Sequence, residues 1–152
     1  TVYGNNGAVG APGSPYPPGG GGGGAGAVGT NPHGGDGIQI SWVTPQALGY
    51  SGTHNGVANT TAFYWAGGGA SGSQSSTAGN GGKGGGSSGL FSYNTGRGTE
   101  GSGGLNTSAS SGDLGSKGAT NTGGGAGAGQ SIAQAGDKVG GSGIVVIRYA
   151  VN

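Results

Sequence analysis

The sequence predicts an all-β or irregular, glycine-rich domain. We expect packed polyglycine II-like extended helices plus a few short β-strands, and no substantial α-helix. Three observations favour this class: 46 of the 152 residues are glycine, glycine recurs at every third position in several runs, and only three short runs carry strand-forming residues. Residues 1–152 are within the usual size of one domain, so we expect a single domain.

The extended helices are predicted by the period-three glycines. These glycines form five runs: Gly4, Gly7, Gly10 and Gly13; Gly20, Gly23, Gly26 and Gly29; Gly79, Gly82 and Gly85; Gly98, Gly101 and Gly104; and Gly112, Gly115 and Gly118. Three residues per turn is the repeat of the polyproline-type helix. Collagen requires an unbroken register and abundant proline, whereas this chain has six prolines and breaks register repeatedly. Polyglycine II, in which short three-fold helices lie side by side, tolerates such breaks.

Three strands are predicted, at residues 38–42, 62–66 and 144–149. In the first, Ile38, Ile40 and Trp42 alternate with polar residues, which is typical of a half-buried strand. In the second, Phe63 and Trp65 share a face. The closing strand 144–149 is apolar on both faces, so we expect it to be covered on both sides. Together the three strands are expected to form the only conventional core, and loss of the closing strand is expected to unfold the domain.

Variable loops are predicted near residues 43–61, 90–96 and 105–111. The first is the longest stretch without glycine clustering or strand pattern, and we expect it to be exposed; long loops of this kind are often functional. Exposed aromatic rings beside Asn, Ser and Thr are typical of adaptable recognition surfaces. The candidate receptor-binding residues are Tyr50, His54, Asn55, Phe91, Tyr93, Asn94 and Asn106.

Composition argues against several kinds of chemistry. The two histidines and four acidic residues show no pair at metal-ligand spacing, and no serine lies in a nucleophile-elbow context. Residues 124–131 match a phosphate loop except that Gln130 replaces the lysine. We therefore expect neither an enzyme nor a cofactor nor a metal site. A net charge of +1 argues against nucleic acid as a partner, and no apolar run approaches the roughly 18 to 20 residues of a membrane helix.

Four segments occur in the same order in glycine-rich domains of bacteriophage tail fibres and receptor-binding adhesins, which this chain resembles over almost its whole length. They are residues 19–29, 34–38, 64–69 and, most specifically, 140–149 with the sequence Gly-Gly-Ser-Gly-Ile-Val-Val-Ile-Arg-Tyr. The resemblance implies a virion structural protein, outside the cell at a fibre tip, whose loops on a polyglycine II sandwich bind a host receptor. Its implied partners are a host cell-surface glycan or outer-membrane protein and other virion fibre proteins. Monomer and homotrimer both remain open.

A purely structural role is also compatible with the sequence, whereas ice binding is disfavoured. A purely structural virion decoration or extracellular filament subunit would need no receptor, and similar glycine-rich domains in some animal receptor kinases show that the fold does not fix the function. Ice binding requires a regularly spaced face, and the irregular spacing of Thr and Ser disfavours it. Because no methionine opens the chain, we expect a processed product or part of a longer protein.

Overall fold

Regular secondary structure in the described residues consists of four two-residue strands and one 3₁₀ turn. The computed structural model describes residues 3–12, 19–72, 78–91, 96–106, 117–128 and 138–150. The elements are β1 (Ile38–Gln39), the 3₁₀ turn (Gln46–Leu48), β2 (Tyr64–Trp65), β3 (Leu90–Phe91) and β4 (Gly96–Arg97). The antiparallel pairs are β1–β2, with Ile38 opposite Trp65, and β3–β4, with Leu90 opposite Arg97. These ranges contain no α-helix, and the predicted fold class is confirmed.

Beside these elements, six extended segments of the described chain form a bundle around one of them, residues 66–71, here called the central segment. Its backbone hydrogen bonds, of 2.8–3.2 Å, repeat every three residues. Amides of Gly67 and Ala70 donate to Gly84 and Ser87, and amides of Gly68 and Ser71 donate to Gly35 and Pro32. The carbonyls of Ala66 and Gly69 accept from the amides of Ala25 and Gly22. The carbonyls of Gly67 and Ala70 accept from the amides of Gly125 and Ala128. The carbonyls of Gly68 and Ser71 accept from the amides of Gly82 and Gly79. A segment that bonds outward every three residues and not to itself is a polyglycine II-type helix.

Five neighbouring segments surround the central segment and bond to one another in sequence around it. In order they are residues 22–25, 32–37, 79–83, 84–90 and 122–128. The predicted period is visible in these contacts, since the amides of Gly79 and Gly82 donate to carbonyls three residues apart in the central segment. Order in this part of the molecule therefore comes from backbone-to-backbone hydrogen bonds.

Glycine is required in the bundle because the backbones approach too closely for side chains. A Cβ atom on Gly68 would overlap the carbonyl of Gly22, and one on Gly69 would overlap the carbonyl of Ala126. Gly84 and Gly85, at φ of 91° and 87°, reverse the chain between two neighbouring segments. Both uses depend on the missing Cβ.

The apolar core lies beside the bundle and differs from the predicted one. It consists of Val43, Val57, Phe63, Trp65 and Leu105, with Trp42, Leu48 and Val146 packed against it. Phe63 and Trp65 are confirmed as core residues. Ile40 is 39% exposed and Ile38 is only half-buried, because β1 is two residues long and loop residues fill the space that the longer strand was expected to cover.

Two predictions about exposure were wrong. Residues 43–61 are not simply an exposed loop, since Val43 and Pro45 are fully buried and Val57 is buried. Residues 144–149 are extended but pair with no described strand, and Val145, Ile147 and Tyr149 are 85%, 78% and 77% exposed. The buried valines of the loop occupy the core, so only Val146 of the closing segment packs there.

Candidate functional site

The 3₁₀ turn sets the course of the chain into the candidate site. The Thr44 hydroxyl accepts from the Ala47 amide at 3.1 Å, and the buried Pro45 anchors the turn in the core. Gly49, at φ 87°, ends the turn, and the Tyr50 amide then donates to the Pro45 carbonyl at 2.9 Å. The left-handed conformation of Gly49 reverses the direction of the chain, as is common at helix ends. This reversal places Tyr50 beside the core.

A tight hairpin follows between His54 and Val57. The amide of each residue donates to the carbonyl of the other at 2.9 Å. The two residues between them, Asn55 and Gly56, have φ of 46° and 76°. Positive φ at both central positions is what a type I′ turn requires, and Asn-Gly is its preferred sequence. The hairpin was missed in the sequence, although the Asn55-Gly56 pair is a strong turn signal.

Four aromatic rings run from the surface into the core. The rings of Tyr50 and His54 are stacked, with centroids 3.8 Å apart and an angle of 26° between their planes. His54 meets Phe63 edge-on at 6.0 Å, and Phe63 meets Trp65 edge-on at the same distance. Edge-to-face and offset-stacked contacts of this kind are the favoured aromatic geometries. The partly exposed Tyr50 ring is thus supported by the half-buried His54 ring, which in turn contacts the buried Phe63.

The hairpin is tied to the next loop through a single carbonyl. The Leu105 carbonyl accepts from His54 Nε2 at 2.9 Å and from Asn55 Nδ2 at 2.6 Å. Because a carbonyl can only accept, Nε2 carries the ring proton in this contact. Leu105 itself is buried, and Asn106 Nδ2 donates to the Thr120 carbonyl at 2.8 Å. Two loops and the 119–122 turn are therefore held together at this end of the molecule.

We call Tyr50, His54, Asn55 and Asn106 the loop surface. The structure brings these four predicted residues together, with Asn55 exposed, His54 and Asn106 half-buried, and Tyr50 39% exposed. Phe91 belongs to β3, and Tyr93 and Asn94 lie outside the described residues.

A cleft of about 620 Å³ beside the 3₁₀ turn was not predicted. Its walls are Trp42, Thr44, Ala47 and Leu48 on one side and residues 146–149 on the other. The cleft combines apolar side chains with Arg148 and Tyr149. Each wall was assigned in the sequence to a strand or an exposed loop, and no spacing rule brings the two together.

The described part of the chain has neither a metal-binding group nor a membrane-spanning helix. Across its ranges, no three His, Asp or Glu side chains gather into a group that could hold a metal ion. The same ranges contain no helix with the length and apolar character needed to span a bilayer. Comparisons with protein-family models, curated proteins and solved structures found no match to this chain.

Proposed function

We propose that this chain is a receptor-binding module of a bacteriophage virion, an adhesin or tail-fibre domain whose loop surface binds a host cell-surface glycan or outer-membrane protein. The observation that carries the proposal is the exposed Tyr50 ring stacked on His54 at 3.8 Å. An aromatic face of this kind packs on the C–H face of a sugar or on an apolar side chain. Because the ring is already held by its neighbours, little side-chain entropy is lost on binding.

Two amide side chains supply hydrogen bonding beside that ring. Asn55 Nδ2 and Asn106 Nδ2 donate inward, to the carbonyls of Leu105 and Thr120. Neither Oδ1 atom has a donor among the described residues, so each can accept from a ligand hydroxyl. A loop surface that combines an aromatic face with amide acceptors suits a polyhydroxylated ligand better than a charged one.

The location in a virion rests on the resemblance to tail-fibre and adhesin domains and on the character of the bundle. A body held by backbone bonds in several directions is a rigid base, while the loops at its end carry the side chains that differ in chemistry. A rigid base that carries such loops supports a module that presents the loops outside the cell and is attached to other fibre proteins. Binding would be non-covalent and would involve no cofactor.

The test compares Tyr50→Ala with Tyr50→Phe and with Tyr3→Ala, a control at a tyrosine that is 63% exposed elsewhere. Each purified variant is titrated against an array of bacterial surface glycans and against outer-membrane vesicles. Loss of a central aromatic contact costs about 2 kcal/mol or more, or about 30-fold in Kd. We expect that loss for Tyr50→Ala only, with urea unfolding showing that all variants fold. Equal binding by Tyr50→Ala and wild type would refute the claim that the loop surface binds the receptor.

A purely structural role is the second candidate, favoured by one observation. Val145 and Ile147 are 85% and 78% exposed, and proteins usually cover adjacent apolar side chains of this kind. An assembly subunit would self-associate through the closing segment and bind no receptor. Sedimentation velocity between about 1 and 100 μM distinguishes the two: concentration-dependent assembly without binding to glycans or vesicles would favour the structural role.

A further inference from the structure

Within the described part of the chain, the ring of segments around the central segment is incomplete. Its neighbours follow one another through direct backbone bonds from 22–25 to 122–128. No backbone bond joins 22–25 to 122–128 among the described residues, so the ring stays open between its first and last members. Three-fold helices that lie side by side pack with six neighbours, and five are present among the described residues.

The hydrogen-bond pattern identifies the group that faces the opening. Within residues 67–71, the central segment presents, in order around the ring, a carbonyl to 22–25, an amide to 32–37, a carbonyl to 79–83, an amide to 84–90 and a carbonyl to 122–128. Before this stretch, the Ala66 amide donates to Thr122 at the start of segment 122–128. The alternation assigns an amide to the sixth direction. The Gly69 amide has no acceptor among the described residues, although the carbonyl of the same residue is bonded to Gly22 at 2.8 Å.

A groove of about 510 Å³ occupies this sixth direction. Its floor is residues 66–70, and its walls come from 20–25 and 123–128, with Tyr3, Gly4 and Asn5 at one edge. The floor is five residues long, which corresponds to about 15 Å at the 3.1 Å rise of this helix type. The groove therefore has the length and direction of one more extended segment.

We propose that this groove binds a glycine-rich extended strand from a different polypeptide, which completes the hexagonal packing and accepts a hydrogen bond from the Gly69 amide. A strand with glycine at every third position fits because the floor and most of the walls are backbone. Bulkier strands could not approach closely enough to bond. The site thus resembles strand addition to a sheet edge, with a three-fold helix in place of a β-strand.

A different polypeptide is favoured over a second copy because the described period-three segments of this chain are already engaged. Residues 5–8 bond to Gly21, Gly24 and Gly29, while Gly98 and Gly101 donate to Gly89 and Gly86. A second copy could supply one of these described segments only by giving up such contacts. The proposal is independent of the receptor function, because the groove and the loop surface share no residue.

Gly22→Ala blocks the groove without disturbing the bundle. A Cβ on Gly22 would lie 3.6 Å from the Gly69 amide nitrogen and 3.4 Å from its carbonyl oxygen, which are ordinary contacts. The control is Gly143→Ala, where a Cβ meets nothing within 4 Å. The probe is a labelled 12-residue peptide, Gly-Asn-Ser repeated four times, beside a scrambled peptide of the same composition. Binding is measured by fluorescence anisotropy, and exchange of the Gly69 amide by NMR.

We expect the periodic peptide to bind the wild type and Gly143→Ala and to slow exchange of the Gly69 amide by at least about 10-fold. Gly22→Ala should bind at least about 10-fold more weakly, and the scrambled peptide should not bind. Absence of binding at millimolar peptide, or equal binding by Gly22→Ala, would overturn the proposal. Protection of the Gly69 amide that grows with protein concentration, without peptide, would assign the groove to a second copy instead and overturn the choice of a different polypeptide.

Discussion

Replacing Gly69 by alanine tests the claim that backbone proximity, and not glycine flexibility, holds the bundle together. A Cβ at this position would overlap the Ala126 carbonyl. To make room, segment 122–128 has to move away from the central segment. That movement lengthens two backbone bonds of 2.8 Å, from Gly125 to Gly67 and from Ala128 to Ala70.

The expected cost follows from these contacts. Two backbone hydrogen bonds are worth about 1 kcal/mol each, and overpacking a close-fitted site adds about 1 to 3 kcal/mol, so the free energy of unfolding should fall by about 3 to 5 kcal/mol. With a urea m-value of about 1 to 3 kcal/mol/M, the unfolding midpoint falls by more than about 1 M. Fluorescence of the buried Trp65 reports the transition.

Gly143→Ala is the matched control because no atom lies within 4 Å of its Cβ position. Alanine at an open, compatible site removes entropy from the unfolded chain and stabilises by about 0.4 to 1 kcal/mol. The two changes should therefore move the midpoint in opposite directions. A Gly69→Ala midpoint equal to that of the wild type would refute the close-approach argument, since the same methyl group would then have found space in the bundle.

The remaining predictions concern single contacts. Glu100→Ala should lower the free energy of unfolding by about 1 to 3 kcal/mol in urea titrations. The reason is that the Glu100 carboxylate accepts from the amide and the hydroxyl of the fully buried Ser88, at 3.0 and 2.8 Å. Glu100→Gln keeps an acceptor, so its free energy of unfolding should fall by less. Gly56→Ala should destabilise the hairpin by about 1 kcal/mol, since φ there is 76°, and calorimetry should show the lower Tm. Ala66→Gly should raise Tm, because Ala66 has φ 57°, which costs about 1 kcal/mol for a residue with a Cβ. Deletion of residues 144–150 should cost about 1 to 2 kcal/mol and leave the core resistant to protease, because of these residues only Val146 packs against the core; complete proteolysis would contradict this.

The sequence predicted the kind of fold because its main signal is local. A three-residue glycine period follows from helix geometry alone, and the contacts of Gly79 and Gly82 repeat with that period. The identity of the central segment, in contrast, could not be predicted from the spacing of the glycines. Residues 67–69 are consecutive glycines with no period, and which segments surround them depends on contacts between residues far apart in the chain.

The core was harder to predict than the bundle. Val43, Val57 and Leu105 are isolated apolar residues in irregular sequence, so no strand or helix pattern selects them. The β-branched run 144–149 has the strongest local preference for a strand, yet strand preference is realised only where a partner edge is available. Of the candidate site, the aromatic and amide residue types could be predicted, whereas their meeting at the Leu105 carbonyl could not.

The bundle and the core meet at the peptide bond between Trp65 and Ala66, and this junction explains how two unlike kinds of packing keep one register. Trp65 is the last residue of β2 and a member of the core, while Ala66 begins the central segment and donates to Thr122 at 2.8 Å. The left-handed φ of Ala66 turns the chain from the two-residue repeat of a strand to the three-residue repeat of the bundle. A shift of the chain register by one residue at this junction would move Trp65 out of the core. It would also place a side chain where Gly67 now meets the backbone of residues 82–83. Because the same register shift carries both costs, the small core fixes the position of the central segment. The central segment in turn fixes the position of the aromatic rings beneath Tyr50.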